Sequence, residues 1–156
     1  MIDHHGSIAL LIDVVIGVIL TIVVYKISTK HERGRRNHAW RRIRNRMEVI
    51  EGTLFHIVQN YNTLTPAKMA ENFGMITYLI NDINRTIELV EDIVSADDAD
   101  NISSIKEIYD MHYQPSFQQY GYNQQKIQDF LIFIDAHYKK LPPKNMLSRF
   151  KAKGYQ

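Results

Sequence analysis

Twenty consecutive residues, Ile8 to Ile27, are almost entirely Ile, Val and Leu, and a single carboxylate, Asp13, breaks the run before Lys26. As a helix rising about 1.5 Å per residue the run is about 30 Å long, the thickness of a bilayer's hydrocarbon core. A transmembrane helix over 8–27 is therefore expected. Up to Val24 the departures from aliphatic character fall at Ala9, Asp13, Gly17 and Thr21, each four residues after the last. Steps of four stay on one side of a helix, so these residues form a ridge of the kind used in close small-xxx-small crossings. Gly6 and Tyr25 extend it at either end.

An ionised Asp near the bilayer centre costs roughly 3 kcal/mol on insertion scales, and less near the interface. One reading is a shallow, hydrated or protonated Asp13. The favoured reading makes Asp13 the polar contact with a second membrane helix that carries a donor or a positive charge. A second copy of the chain offers only another Asp at that depth, so a different integral membrane protein is the expected partner. Ala9, Asp13, Gly17 and Thr21 are the expected helix contacts.

Charge divides sharply along the chain. Residues 26–46 hold nine Lys or Arg against one acid, Glu32, whereas residues 1–25 carry two acids and 47–156 carry ten basic and fourteen acidic residues. The positive-inside rule then puts the amino terminus outside and the remainder in the cytoplasm. No basic residue precedes the apolar run, the run is longer than a signal peptide's apolar region, and Tyr25-Lys26-Ile27 is no small-residue cleavage site, so the span is expected to be retained. Lys26, Lys30, Arg33, Arg35, Arg36, Trp40, Arg41 and Arg42 are the expected contacts with anionic lipid headgroups, at roughly 1 kcal/mol per basic side chain near the surface. Nucleic acid is not an expected partner, because phosphate headgroups compete for these arginines and the domain beyond is acidic.

Past a short extracytoplasmic stretch, 1–7, and the span, 8–27, a juxtamembrane linker over 28–36 is expected, marked by Ser28, Thr29 and Gly34. A helical domain over 37–141 and a basic tail over 142–156 follow. Trp40, Ile43, Met47, Ile50, Leu54, Ile57 and Tyr61 alternate in steps of three and four, the pattern of one apolar helix face. Thr65 and Pro66 read as the N-cap and first residue of a second helix. Its face carries Met69, Phe73, Ile76, Ile80, Ile83, Ile87, Val90 and Val94, with Leu79 and Ile93 widening it. Two such helices with a short connection make an antiparallel hairpin.

The acidic segment 96–101 reads as a loop, leading to a third helix with Ile102, Ile105, Tyr109 and His112 inward and its end at Gln114-Pro115. Ser104 and Glu107 have capping-box spacing, so a later start competes with this one. The polar and aromatic stretch 116–122 connects to a fourth helix from about Asn123, with Ile127, Phe130, Leu131, Ile134, Tyr138 and Leu141 on its apolar face and Pro142-Pro143 after it. Tyr113, Phe117, Tyr120 and Tyr122 are expected to close one end of the bundle. The fold class is thus all-α: one N-terminal transmembrane helix and a cytosolic bundle of about four helices.

The chain contains no cysteine, which removes disulfides, thiolate metal sites and a cysteine nucleophile. It has no Glu-x-x-His pair, no zincin motif, no phosphate-binding glycine loop and no nucleophile elbow. Asp110 and His112, like Asp135 and His137, lie on opposite faces of their helices and form no site alone. Asp3-His4-His5 lacks the third-position histidine of a terminal copper site, so no metal is expected there. Neither a cofactor nor catalysis is expected. The expected function is a non-catalytic single-pass membrane subunit that packs against another membrane protein and braces or docks a partner with its helical domain. The alternative is a homodimeric, membrane-anchored signalling module, in which the heptad face from Trp40 to Tyr61 forms a two-chain coiled coil.

Overall fold

The computed structural model describes the backbone over residues 4–142 and side chains over residues 15–142. Every element in that range is helical, and there is no strand among the described residues. The elements are α1 (His4–Gln59), α2 (Pro66–Glu88), α3 (Ala96–Ile108), α4 (Gln114–Tyr120) and α5 (Gln124–Lys139). The chain divides into two compact units, Met1–Arg35 and Arg36–Gln156.

The first unit is the amino-terminal part of α1. Between Val15 and Ile27 every large apolar side chain is exposed, from Val23 at 45% to Tyr25 at 69%. Among the described residues no helix is long and apolar enough to cross a membrane. The described side chains include thirteen of the run's twenty residues, about 20 Å of helix and less than a hydrocarbon core. The expected linker at 28–36 is not an irregular segment but helix, continuous with α1. Ser28 and Thr29 bond locally, to Glu32 Oε1 at 3.2 Å and to the Tyr25 carbonyl at 2.8 Å, and so leave the helix intact.

The second unit is an up-down-up-down bundle. Arg42 and Arg46 of α1 meet Asp82 of α2 across the Asn60–Thr65 turn, which makes the two helices antiparallel. Thr77 of α2 meets Tyr109 beyond α3, and Phe73 meets Phe117 of α4, again in reverse order. Ser104 of α3 faces His137 of α5, while Tyr109 packs on Phe130. The ring closes where Arg44, Glu48 and Tyr61 meet Leu141, Tyr138 and Tyr122 in turn. Trp40, Ile43, Met47, Ile50, Leu54 and Ile57, the three-four face of α1, lie in a single buried cluster with the inward residues of α2, α3 and α5. That face is covered within the chain itself.

Helix starts follow their caps. The Thr65 hydroxyl accepts from Lys68 N at 3.2 Å, with Pro66 at the first position. Asn123 Oδ1 accepts from Gln125 N and Lys126 N. The segment 96–101 is not a loop but the first turns of α3. Ser95 caps it, accepting from Asp98 N at 3.2 Å and donating to Asp98 Oδ2 at 2.7 Å. Asp97 and Asp98 in this first turn face the positive end of the helix dipole, so the acids favour helix there. The later capping pair Ser104–Glu107 is not used. α2 ends earlier than its apolar pattern, at Glu88, and a 3₁₀ turn, Glu91–Ile93, carries the chain onward.

The helix also continues through Gln114-Pro115. Residues Tyr109–Tyr113 form one π-turn, in which Gln114 N–H reaches the Tyr109 carbonyl. The wider turn relieves the clash that proline's ring makes with the preceding carbonyl and absorbs its missing donor. It also shifts the helix face by one residue. Tyr113 packs on Phe130 at 4.5 Å between ring centroids, whereas His112, expected inward, is exposed.

Candidate functional site

The basic segment of α1 divides by position. Lys26, Lys30, Arg33, Arg35 and Arg41 are exposed, and Arg36 is half-buried. Trp40 is a correction to the lipid-facing set: it is 5% exposed and part of the core. The reason is its place at the start of the three-four face, which orders it inward with Ile43 and Met47. Arg42 is already engaged, since its Nε lies 3.1 Å from Asp82 Oδ2 and its guanidinium also pairs with Oδ1. Arg46 Nε reaches Asp82 Oδ2 at 2.9 Å. The hydrogen bond from Arg42, followed by that from Arg46, holds the Asp82 carboxyl below the usual range against the opposing effect of burial. The same bond raises Arg42.

Arg44 is buried, which its sequence neighbours gave no sign of. Its guanidinium donates to the carbonyls of Leu141 and Pro142 and lies 5.1 Å from the centre of the Tyr138 ring. It therefore ties the end of α5 to α1. Arg42, Arg44 and Arg46 thus serve the bundle.

Of the expected membrane-helix contacts, Gly17 and Thr21 are described, whereas the side chains of Ala9 and Asp13 lie outside the described residues. Thr21 Oγ1 donates to the Gly17 carbonyl at 2.8 Å, so the hydroxyl is satisfied within its own helix. A Cβ added at Gly17 meets nothing within 4 Å, so no contact inside the chain requires glycine there. Asp3 and the side chains of His4 and His5 also lie outside the described residues, as does the tail from Pro143 onward. Among the described residues, no three of His, Cys, Asp and Glu converge on a metal position.

A groove of about 530 Å³ opens on the bundle surface between α1 and α5. Phe55, Leu131 and Ile132 line it around Gly52, and Glu48, Glu51 and Asp135 supply carboxylates. Phe55 and Ile132 are 54% and 66% exposed. Glu48 Oε1 accepts from the Tyr138 hydroxyl at 2.7 Å, and Asp135 pairs with Lys139, whose ammonium is raised by that bond. The sequence signal for this groove was slight: Phe55 and Ile132 fall off the three-four faces of their helices, beside a glycine.

The far end of the bundle is aromatic. Phe73 lies 4.5 Å from Phe117 and 4.6 Å from Tyr122, and Tyr61 donates to the Tyr122 carbonyl at 2.6 Å. Tyr113, Phe117 and Tyr122 thus close that end, while Tyr120 stays exposed. Tyr109 shares a 2.6 Å hydrogen bond with Thr77, and burial raises its phenol. No family model, no curated protein and no solved structure matches the chain.

Proposed function

We propose that the protein is a non-catalytic, single-pass membrane subunit. In this reading 8–27 spans the bilayer with the amino terminus outside, the ridge of Ala9, Asp13, Gly17 and Thr21 packs against another integral membrane protein, and the bundle braces or docks a partner in the cytoplasm. The observation that carries it is the sleeve of exposed aliphatic side chains from Val15 to Ile27, which water leaves uncovered at considerable cost and lipid covers. The cationic residues that follow, Lys26, Lys30, Arg33, Arg35, Arg36 and Arg41, support the orientation and a contact with anionic headgroups.

The homodimeric signalling module draws support from the heptad spacing of Trp40 to Tyr61. Its coiled-coil interface is weakened by the burial of the Trp40–Ile57 face inside the chain.

Because the chain has no cysteine, single cysteines report topology directly. Ser7→Cys is expected to react with an impermeant maleimide in intact cells and Ser148→Cys only after lysis. The opposite pattern overturns the orientation, and recovery of both in the soluble fraction overturns the anchor. Purification in mild detergent is expected to retain a second membrane protein; retention of a second copy alone favours the signalling module.

A further inference from the structure

We propose that the α1–α5 groove is the docking site of this chain's own basic tail, 144–156. The groove combines an apolar floor, Phe55 and Ile132, with three carboxylates, Glu48, Glu51 and Asp135. Such a surface selects a segment that is apolar and cationic together. The tail has that composition: Met146, Leu147 and Phe150 alternate with Lys144, Arg149, Lys151 and Lys153, and it contains no acid.

Its starting point is fixed beside the groove. Arg44 holds the carbonyls of Leu141 and Pro142 against α1, four residues before Glu48 and eleven before Phe55. Those intervals are about 6 Å and 17 Å along a helix. Phe150 lies eight positions after Pro142, a reach of up to about 28 Å. Pro142-Pro143 prevents continuation of α5, so the chain is free to turn back along the groove. Asp135 accepts from Lys139, and a carboxylate's remaining lone pairs accommodate further donors. The contact concerns the bundle unit alone and holds whether or not 8–27 lies in a bilayer.

Two measurements on the full chain in mild detergent test it. Gly52→Cys is tolerated, since a Cβ there meets nothing within 4 Å. Its maleimide labelling is expected to be severalfold faster after deletion of 144–156, and severalfold faster in 0.5 M salt with the tail present. In the pair Gly52→Cys, Leu147→Cys, oxidation is expected to give an intramolecular product whose yield does not change with dilution and falls severalfold on adding Glu51→Lys and Asp135→Lys. Circular dichroism verifies that each variant keeps its helix. An unchanged labelling rate without the tail overturns the proposal. Dimers as the sole crosslinked product also overturn it, assigning the groove to a second copy. An intramolecular yield indifferent to charge reversal overturns it as well, by reducing the contact to tethering.

Discussion

Arg46 of α1 places its Nε 2.9 Å from Asp82 Oδ2 of α2, and Arg42, one turn earlier, shares the same carboxylate. Two residues of the cationic segment 26–46 thus set the register of the first hairpin. An acid with two guanidinium partners and little exposure loses most of its partners' value if neutralised. Asp82→Asn is therefore expected to lower the melting midpoint by roughly 5 °C near neutrality. Because the folded carboxyl is held below its unfolded value, its stabilisation is fully present above the unfolded pKa of about 3.9 and lost as pH falls through the folded one. Melting curves of the two proteins should differ at pH 6 and by nearly as much at pH 5, and converge only as pH falls below about 3.9 through the depressed folded value; a difference already gone at pH 5 contradicts the assignment.

The π-turn yields a second expectation. Tyr113 is packed against Phe130 and Phe133, whereas His112 is exposed. His112→Ala should change stability by less than about 0.5 kcal/mol, and Tyr113→Ala should cost about 2 kcal/mol. Denaturant titration of both variants checks this, and a reversed order restores the regular helical register in which residue 112 faces inward.

What was legible in the sequence was the part set by local chemistry. The three-four spacing from Trp40 to Ile57, the Thr65-Pro66 start and the start of the last helix near Asn123 each stand where their residues put them. The acids at 96–101 misread as loop because acidity favours both solvated turns and helix N-termini, and Ser95 decides between them. Pro115 misread as a stop because the π-turn that accommodates it has no local signature. Arg44 and the Phe55–Ile132 groove depend on which helices become neighbours, a property of packing that no single helix pattern encodes.

The fragment 36–156 is expected to fold by itself as a monomeric helical domain, because the core from Trp40 to Leu141 lies wholly within that compact unit. Circular dichroism should show helical minima and one cooperative melt, with sedimentation independent of concentration. A dimer that dissociates on dilution together with loss of helix would mean that the Trp40–Ile57 face is completed by a second chain.

The amino-terminal ridge supplies the last test, and it separates anchoring from recognition. Gly17 has open space around its missing Cβ, so Gly17→Ile leaves the chain's own helix undisturbed and changes only how closely another helix can approach. Asp13→Leu improves insertion by roughly 3 kcal/mol on translocon scales while removing the one polar group that a partner helix would engage. Both variants are therefore expected to remain in the membrane fraction and to lose co-purification of the partner, with Ile16→Leu, off the ridge, behaving as the parent. Loss of association cannot then be attributed to a failed anchor. Undiminished co-purification of both ridge variants would make 8–27 a passive tether and move all recognition into the bundle.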